Sequence, residues 1–177
     1  MKRIEKRSKL QYIWLLIAAA LVGLDRFTKW LVVSNMELKQ TINLIKIGDT
    51  EVLNFYYCLN DGAAFSRFSG QRILLIIVTS VVIAGFLYAV IVRRIKQPVH
   101  VAAASLIISG GIGNLIDRIF NGGLVVDFID LRIINFAVFN IADICAVVGA
   151  GLLAVSVVVG EIRDIRAKKA NEKNGEN

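Results

Sequence analysis

Four apolar runs, each close to the length of a membrane crossing, limit what this 177-residue chain can fold into. They cover about 12–33, 73–92, 99–120 and 138–160. A helix of about 20 apolar residues spans a hydrocarbon core about 30 Å thick. The chain is 56% hydrophobic, with a mean hydropathy of +0.63, which is too apolar for an ordinary soluble domain. It has one Pro and no Ser- or Gly-rich linker. The expected fold class is an α-helical membrane protein with four transmembrane helices, forming a single domain over 1–177.

The net charge of +7 reports topology rather than a nucleic-acid partner. Lys and Arg gather at 2–9, at 93–96 and at 163–169, each cluster beside an apolar run. Cytoplasmic flanks carry such an excess. Both termini and the 93–98 loop are therefore expected in the cytoplasm, which an even number of crossings allows. The first run is long and carries Asp25, Arg26 and Lys29 near its far end. It reads as a retained helix, not a cleaved signal peptide. Segments 34–71 and 121–137 then lie outside. The first contains a strand-like stretch at 51–58, predicting a small β-rich segment after the first helix. The tail 167–177 is polar and expected to fray.

The cysteines, Cys58 and Cys145, are too few for a disulfide framework and lack metal-ligand spacing. Cys145, inside an apolar run, is expected as a small core residue. The lone His100 lies beside a cytoplasmic loop and is assigned no role. No metal and no cofactor are expected.

Against this apolar background stand Asn114, Asp117 and Arg118, then Asp127 and Asp130, then Asn140 and Asp143. A carboxylate at membrane depth costs several kcal/mol unless it faces protein or water. Topology gathers these groups at the outer leaflet. Asp127 and Asp143 are the candidate chemical pair. Two carboxylates sharing a proton can hydrolyse a peptide bond: one, ionised, takes a proton from attacking water, and the other donates to the carbonyl oxygen. Rival machinery is missing from the sequence. No Ser/His or Cys/His pair falls at the outer face, and no His-Glu zinc motif occurs.

Five stretches in order also resemble the lipoprotein signal peptidases, signal peptidase II. They are Asp25-Arg26-Phe27-Thr28-Lys29, Asn60-Asp61-Gly62-Ala63-Ala64-Phe65-Ser66, Gly113-Asn114-Leu115-Ile116-Asp117-Arg118, Val126-Asp127-Phe128-Ile129-Asp130 and Phe139-Asn140-Ile141-Ala142-Asp143. The resemblance implies a membrane aspartic endopeptidase of the bacterial cell membrane. Such an enzyme cleaves diacylglyceryl-modified prolipoproteins just before the lipidated Cys. It maps the catalytic acids to Asp127 and Asp143. Lipid-modified precursors and membrane lipids are the implied partners, with the enzyme acting as a monomer.

Other matched positions have physical uses. Asn60, Asn114 and Asn140 can hold a substrate backbone or orient an aspartate. Arg118 offers a fork of donors to a substrate carbonyl or to Asp117. Gly62, followed by Ala63 and Ala64, leaves room for a substrate backbone. Asp25 and Lys29, four apart on a helix, can pair; with Asp117 they are expected to brace the site.

Each has an ordinary structural reading too. Asp127 alone could be a solvated loop acid, and Asp143 could simply favour the start of a helix. Asp117 and Arg118 could form an ion pair, and Asp130 could cap or be solvated. Gly110, Gly111 and Gly113 suit close helix packing, and the aromatic run 55–57 suits a sheet core or interface belt. A small ion-coupled carrier is the competing function, since membrane acids also line ion paths. Its weakness is that the acids gather at one leaflet and the second run has none. The intramembrane proteases that use Gly-x-Gly-Asp fit less well, because Asn114 follows Gly111-Ile112-Gly113.

Overall fold

The computed structural model describes residues 2–62, 70–95, 97–134 and 136–175, with side chains over 11–62, 70–95, 97–134 and 136–167. Ala63, Ala64, Phe65 and Ser66 of the second motif lie outside the described residues. The chain runs through α1 (Lys2–Asn35), β1 (Thr41–Ile47), β2 (Thr50–Asn60), α2 (Arg72–Ile91), α3 (Pro98–Phe120), β3 (Val125–Leu131), a 3₁₀ turn (Arg132–Ile134) and α4 (Ile141–Gly175). Among the described residues, three helical segments are long and apolar enough to cross a membrane: Arg72–Ile91, Pro98–Phe120 and Ile141–Ala167. Helix α1 carries Asp25, Arg26 and Lys29 within its apolar run and is not among them.

Polarity is turned inside out relative to a water-soluble protein. Ile73, Leu74, Ile77, Val78 and Val81 of α2 are exposed, as are Val147, Val155 and Val158 of α4. The fully buried side chains instead include Lys29, Asn54, Asn140, Asp25 and Asp117. Apolar surface costs nothing against lipid, whereas a charge there must find partners inside the protein.

Helix α3 is the central element, and small residues let it be. Ala102, Ala103, Ala104, Ser105, Ser109, Gly110 and Gly113 make up most of its buried face. A Cβ on Gly110 would lie 2.3 Å from the Ala142 carbonyl oxygen, so α4 packs directly on the α3 backbone there. A Cβ on Gly113 would lie 2.7 Å from Asp25 Oδ2, which lets α1 bring its acid against α3. This is the close approach expected of the glycine cluster. Arg72, at the start of α2, donates from Nε to the Arg118 carbonyl (2.9 Å) and from Nη2 to that of Ile119 (3.0 Å). It thereby satisfies two of the carbonyls left open at the α3 C-terminus.

The sheet is antiparallel in the order β1-β2-β3. Its core is Val32 of α1 with Val126 and Phe128 of β3, supported by Phe55, Tyr57 and Leu59 of β2. Phe55 and Phe128 meet edge to face, with centroids 5.8 Å apart. The aromatic run 55–57 thus contributes to sheet packing.

Two sequence expectations change. Segment 121–137 contributes a full strand, β3, where an outer loop was expected; its acids at 127 and 130 break the period-2 pattern that marks a strand. Strand β2, expected from its strand-like stretch, pairs with β3 through a register shift between Phe55 and Cys58. The tail expected to fray continues α4 as far as Gly175.

Candidate active site

Asp127 sits on β3 in register with Cys58 of β2. Asp143 sits in the first turn of α4. The two meet because β3 also bridges to the segment just before α4. Ile129 and Phe139 exchange backbone hydrogen bonds (2.8 and 3.0 Å), and Phe128 N donates to the Phe139 carbonyl (3.1 Å). This clamp places Asn140, the residue before α4, beside Asp127.

Asn140 is fully buried and works in three directions. Its Nδ2 donates to Asp127 Oδ1 (2.7 Å) and to Asn114 Oδ1 (3.0 Å). Its Oδ1 accepts from Asp143 N (3.0 Å), while its own N donates to Asp143 Oδ2 (3.0 Å). The last two bonds form a reciprocal capping box, which explains why an amide and an acid stand three apart at a helix start. Asn60 Nδ2 donates to Asp127 Oδ2 (3.0 Å), and Asn114 Nδ2 donates to Asp143 Oδ1 (2.7 Å). All four oxygens of the two aspartates therefore receive an N–H.

Both aspartates line one open cavity of about 320 Å³. Its other polar lining is Asn60, Gly62, Asn114 and Arg118, and Phe136 to Phe139 with Val147 form an apolar wall. Asn140 is 0% exposed and is not among the residues that line this cavity. Asn60 Oδ1 also accepts from Gly62 N (2.9 Å), and Arg118 Nη2 donates to the Gly62 carbonyl (2.8 Å). These two bonds hold the Asn60–Asp61–Gly62 edge of the cavity in shape.

Asp127 is buried beside another acid. Burial first, and the neighbouring Asp143 second, push its carboxyl from 3.8 up to about 7. Hydrogen bonds from Asn60 and Asn140 work against that rise without cancelling it. Burial, then Asp127 and Asp130, raise the Cys58 thiol to about 12.

The supporting acids differ in part from expectation. Asp25 and Lys29 pair at 3.1 Å, and Lys29 also reaches Asp117 Oδ2 at 2.8 Å. Asp117 does not pair with Arg118. It is held by Lys29, by Arg26 and by Val126 N (3.3 Å), because the α1 cations face it across the helix interface. Arg118 turns instead to Gly62. Asp130 is not solvated: it is 4% exposed and pairs with Arg132 at 2.7 Å. Cys145 is buried, and His100 meets Ser156 at 2.7 Å, away from the cavity. Arg26 and Arg72 were not singled out in the sequence. Arg26 lies inside a recognised motif, but nothing local pairs it with a residue 91 positions away.

Paired aspartates on one open cavity, braced by amides inside a helical membrane protein, define an aspartic peptidase of the membrane. More narrowly, the chain belongs to the signal peptidase II family: the sequence model described as "Signal peptidase (SPase) II" matches residues 17–159. A lipoprotein signal peptidase of Brevibacillus brevis is 40% identical over 142 residues, covering 80% of this chain and 92% of the relative. One of Halalkalibacterium halodurans is 41% identical over 164 residues, covering 92% and 99%. A bacterial membrane enzyme solved by the in meso method at 2.3 Å superposes with a TM-score of 0.75 at 31% identity, covering 82% of this chain and 87% of that one. A second such structure, at 1.9 Å, gives 0.72 at 31% identity. The carrier alternative gains no support from these relatives.

Proposed function

We propose that this peptidase removes signal peptides from diacylglyceryl-modified prolipoproteins, cutting before the lipidated Cys, with Asp127 and Asp143 as its catalytic pair. The observation that carries the assignment is that both carboxylates line one cavity and each accepts two N–H bonds. Buried and raised to about 7, Asp127 holds a proton near neutrality and donates it to the scissile carbonyl oxygen. Asp143 lies in the first turn of α4, where the helix N-terminus favours a negative charge, and serves as the ionised partner that takes a proton from attacking water. Asn60, Gly62, Asn114 and Arg118 line the cavity within reach of a bound peptide.

In this reading α1 is the fourth crossing, its charged residues being buried against α3, and 1–177 is one domain acting as a monomer. The termini face the cytoplasm, by the basic clusters at 2–9 and 163–169. The sheet and the cavity then lie at the outer leaflet, where water and a lipid-anchored chain meet.

The test is cleavage of a defined lipidated precursor by the purified protein and its Asp127→Asn and Asp143→Asn variants. Each variant is expected to lose about 10³-fold or more in rate while remaining folded. Substantial cleavage by either would remove that residue from the pair.

A further inference from the structure

Lys29 is buried to 1% exposure in a membrane protein, and three side-chain oxygens lie within 3.1 Å of its Nζ. Two are acids, Asp25 Oδ2 (3.1 Å) and Asp117 Oδ2 (2.8 Å). The third is Asn114 Oδ1, at 2.9 Å. A structural cation needs only the two acids; the third bond points it at the cavity.

Asn114 is where that bond matters. Its Oδ1 receives Lys29 Nζ and, at 3.0 Å, Asn140 Nδ2. Both lone pairs of the amide oxygen are then taken. An ammonium has no acceptor, so an Asn114 amide turned the other way would set two donors against each other. Lys29 therefore fixes which end of Asn114 faces Asp143, and Asn114 Nδ2 donates to Asp143 Oδ1 at 2.7 Å. A cation on the carbonyl end of an amide also polarises its N–H and strengthens the bond it donates.

We propose that Lys29 is a positioning residue for the reaction: through the locked, polarised amide of Asn114 it holds the Asp143 carboxylate and sets the charge balance beneath the aspartate pair. The proposal rests on the Asp127–Asp143 reading. The charged groups around the chain of bonds are Asp25, Arg26 and Lys29 from α1, Asp117 and Arg118 from α3, Asp127 from β3 and Asp143 itself. Asp25 and Asp117 are balanced by Lys29 and Arg26. Removing the Lys29 charge leaves that group one negative charge in excess, next to a pair that must lose one proton to work.

Three variants and wild type test this: Lys29→Met, Lys29→Gln, and Lys29→Met combined with Asp25→Asn. The double variant removes the cation without leaving an unpaired buried acid. Cleavage of a lipidated precursor is measured as kcat and KM per folded molecule across pH 5 to 9, with the folded fraction taken from thermal unfolding. Lys29→Met is expected to lower kcat about 100-fold with KM little changed, as a misplaced reacting group does. Its acid limb should move to higher pH. Lys29→Gln, which keeps a neutral donor to Asn114, should recover part of kcat but not the limb. The double variant should recover the limb but not kcat. Wild-type kcat and pH profile per folded molecule in Lys29→Met would overturn the proposal and leave Lys29 a brace. Failure of all three variants to fold would overturn it too, by making the role purely structural. Asp127→Asn and Asp143→Asn run alongside: if they still cleave, the aspartate pair itself is wrong, whereas their inactivity beside an unaffected Lys29→Met rejects only the Lys29 role.

Discussion

Asn140 and Asp143 cap each other: each backbone N–H donates to the other's side-chain oxygen at 3.0 Å. The acid proposed for the chemistry is thus also a helix-start residue, so the ordinary reading of Asp143 and the proposed one are compatible. Oδ2 serves the cap and Oδ1 faces Asn114.

The two roles separate by substitution. Asp143→Asn keeps an oxygen that can accept from Asn140 N, so thermal unfolding should change little while cleavage falls by about 10³-fold. Asp143→Ala removes the cap as well and should cost about a further 1 kcal/mol of stability. Equal unfolding temperatures for the two variants would show that the capping bonds contribute nothing.

Asp127 makes stability depend on pH in a defined direction. Its carboxyl titrates near 7 in the folded protein and near 3.8 when unfolded. Between these values the folded state holds a proton that the unfolded state releases, so this group's contribution is fullest below about 4 and declines as pH rises to 7. Asp127→Asn cannot ionise. Its unfolding temperature relative to wild type should therefore climb from pH 4 to pH 7 in detergent. A difference that stays flat would mean that burial does not hold the proton. Wild-type cleavage should also fall above about pH 7, as the proposed acid loses its proton.

Gly110→Ala should pry α4 from α3, since the new Cβ would meet the Ala142 carbonyl at 2.3 Å and Ala146 N at 2.8 Å. Overpacking of this kind costs about 1–3 kcal/mol. Gly151→Ala, with nothing within 4 Å of its added Cβ, is the control and should be neutral or slightly stabilising. Comparable melting curves for both would contradict backbone-to-backbone packing at Gly110.

Cys58 tests the field around the aspartate pair. With its thiol pushed to about 12, it should resist alkylation by iodoacetamide at pH 8, because little thiolate forms. Asp127→Asn removes one of the charges that raise it, though not the larger effect of burial, and should speed the reaction modestly. Rapid alkylation of the folded wild-type protein would show that the strand is open at this point.

Much of the architecture is legible locally. Apolar run length marks α2, α3 and α4 to within a few residues at their starts, because a helix in lipid must satisfy its own backbone and so follows composition closely. Motif order announced Asp127, Asp143 and the three asparagines as one group. The sheet was less visible. Acids inside β3 obscure its alternation.

What the sequence determined by itself was the cast: helices from run length, the paired acids and amides from residue type, and close packing from Gly110 and Gly113. Only the tertiary structure decided the pairings. Asp117 went to Lys29 and Arg26 rather than to its neighbour Arg118, and Arg118 went to Gly62. The physical reason is burial without water. Each charge or amide taken into the interior must find a partner, and the partner that the packing brings within 3 Å is set by which helices touch, not by which residues are adjacent along the chain.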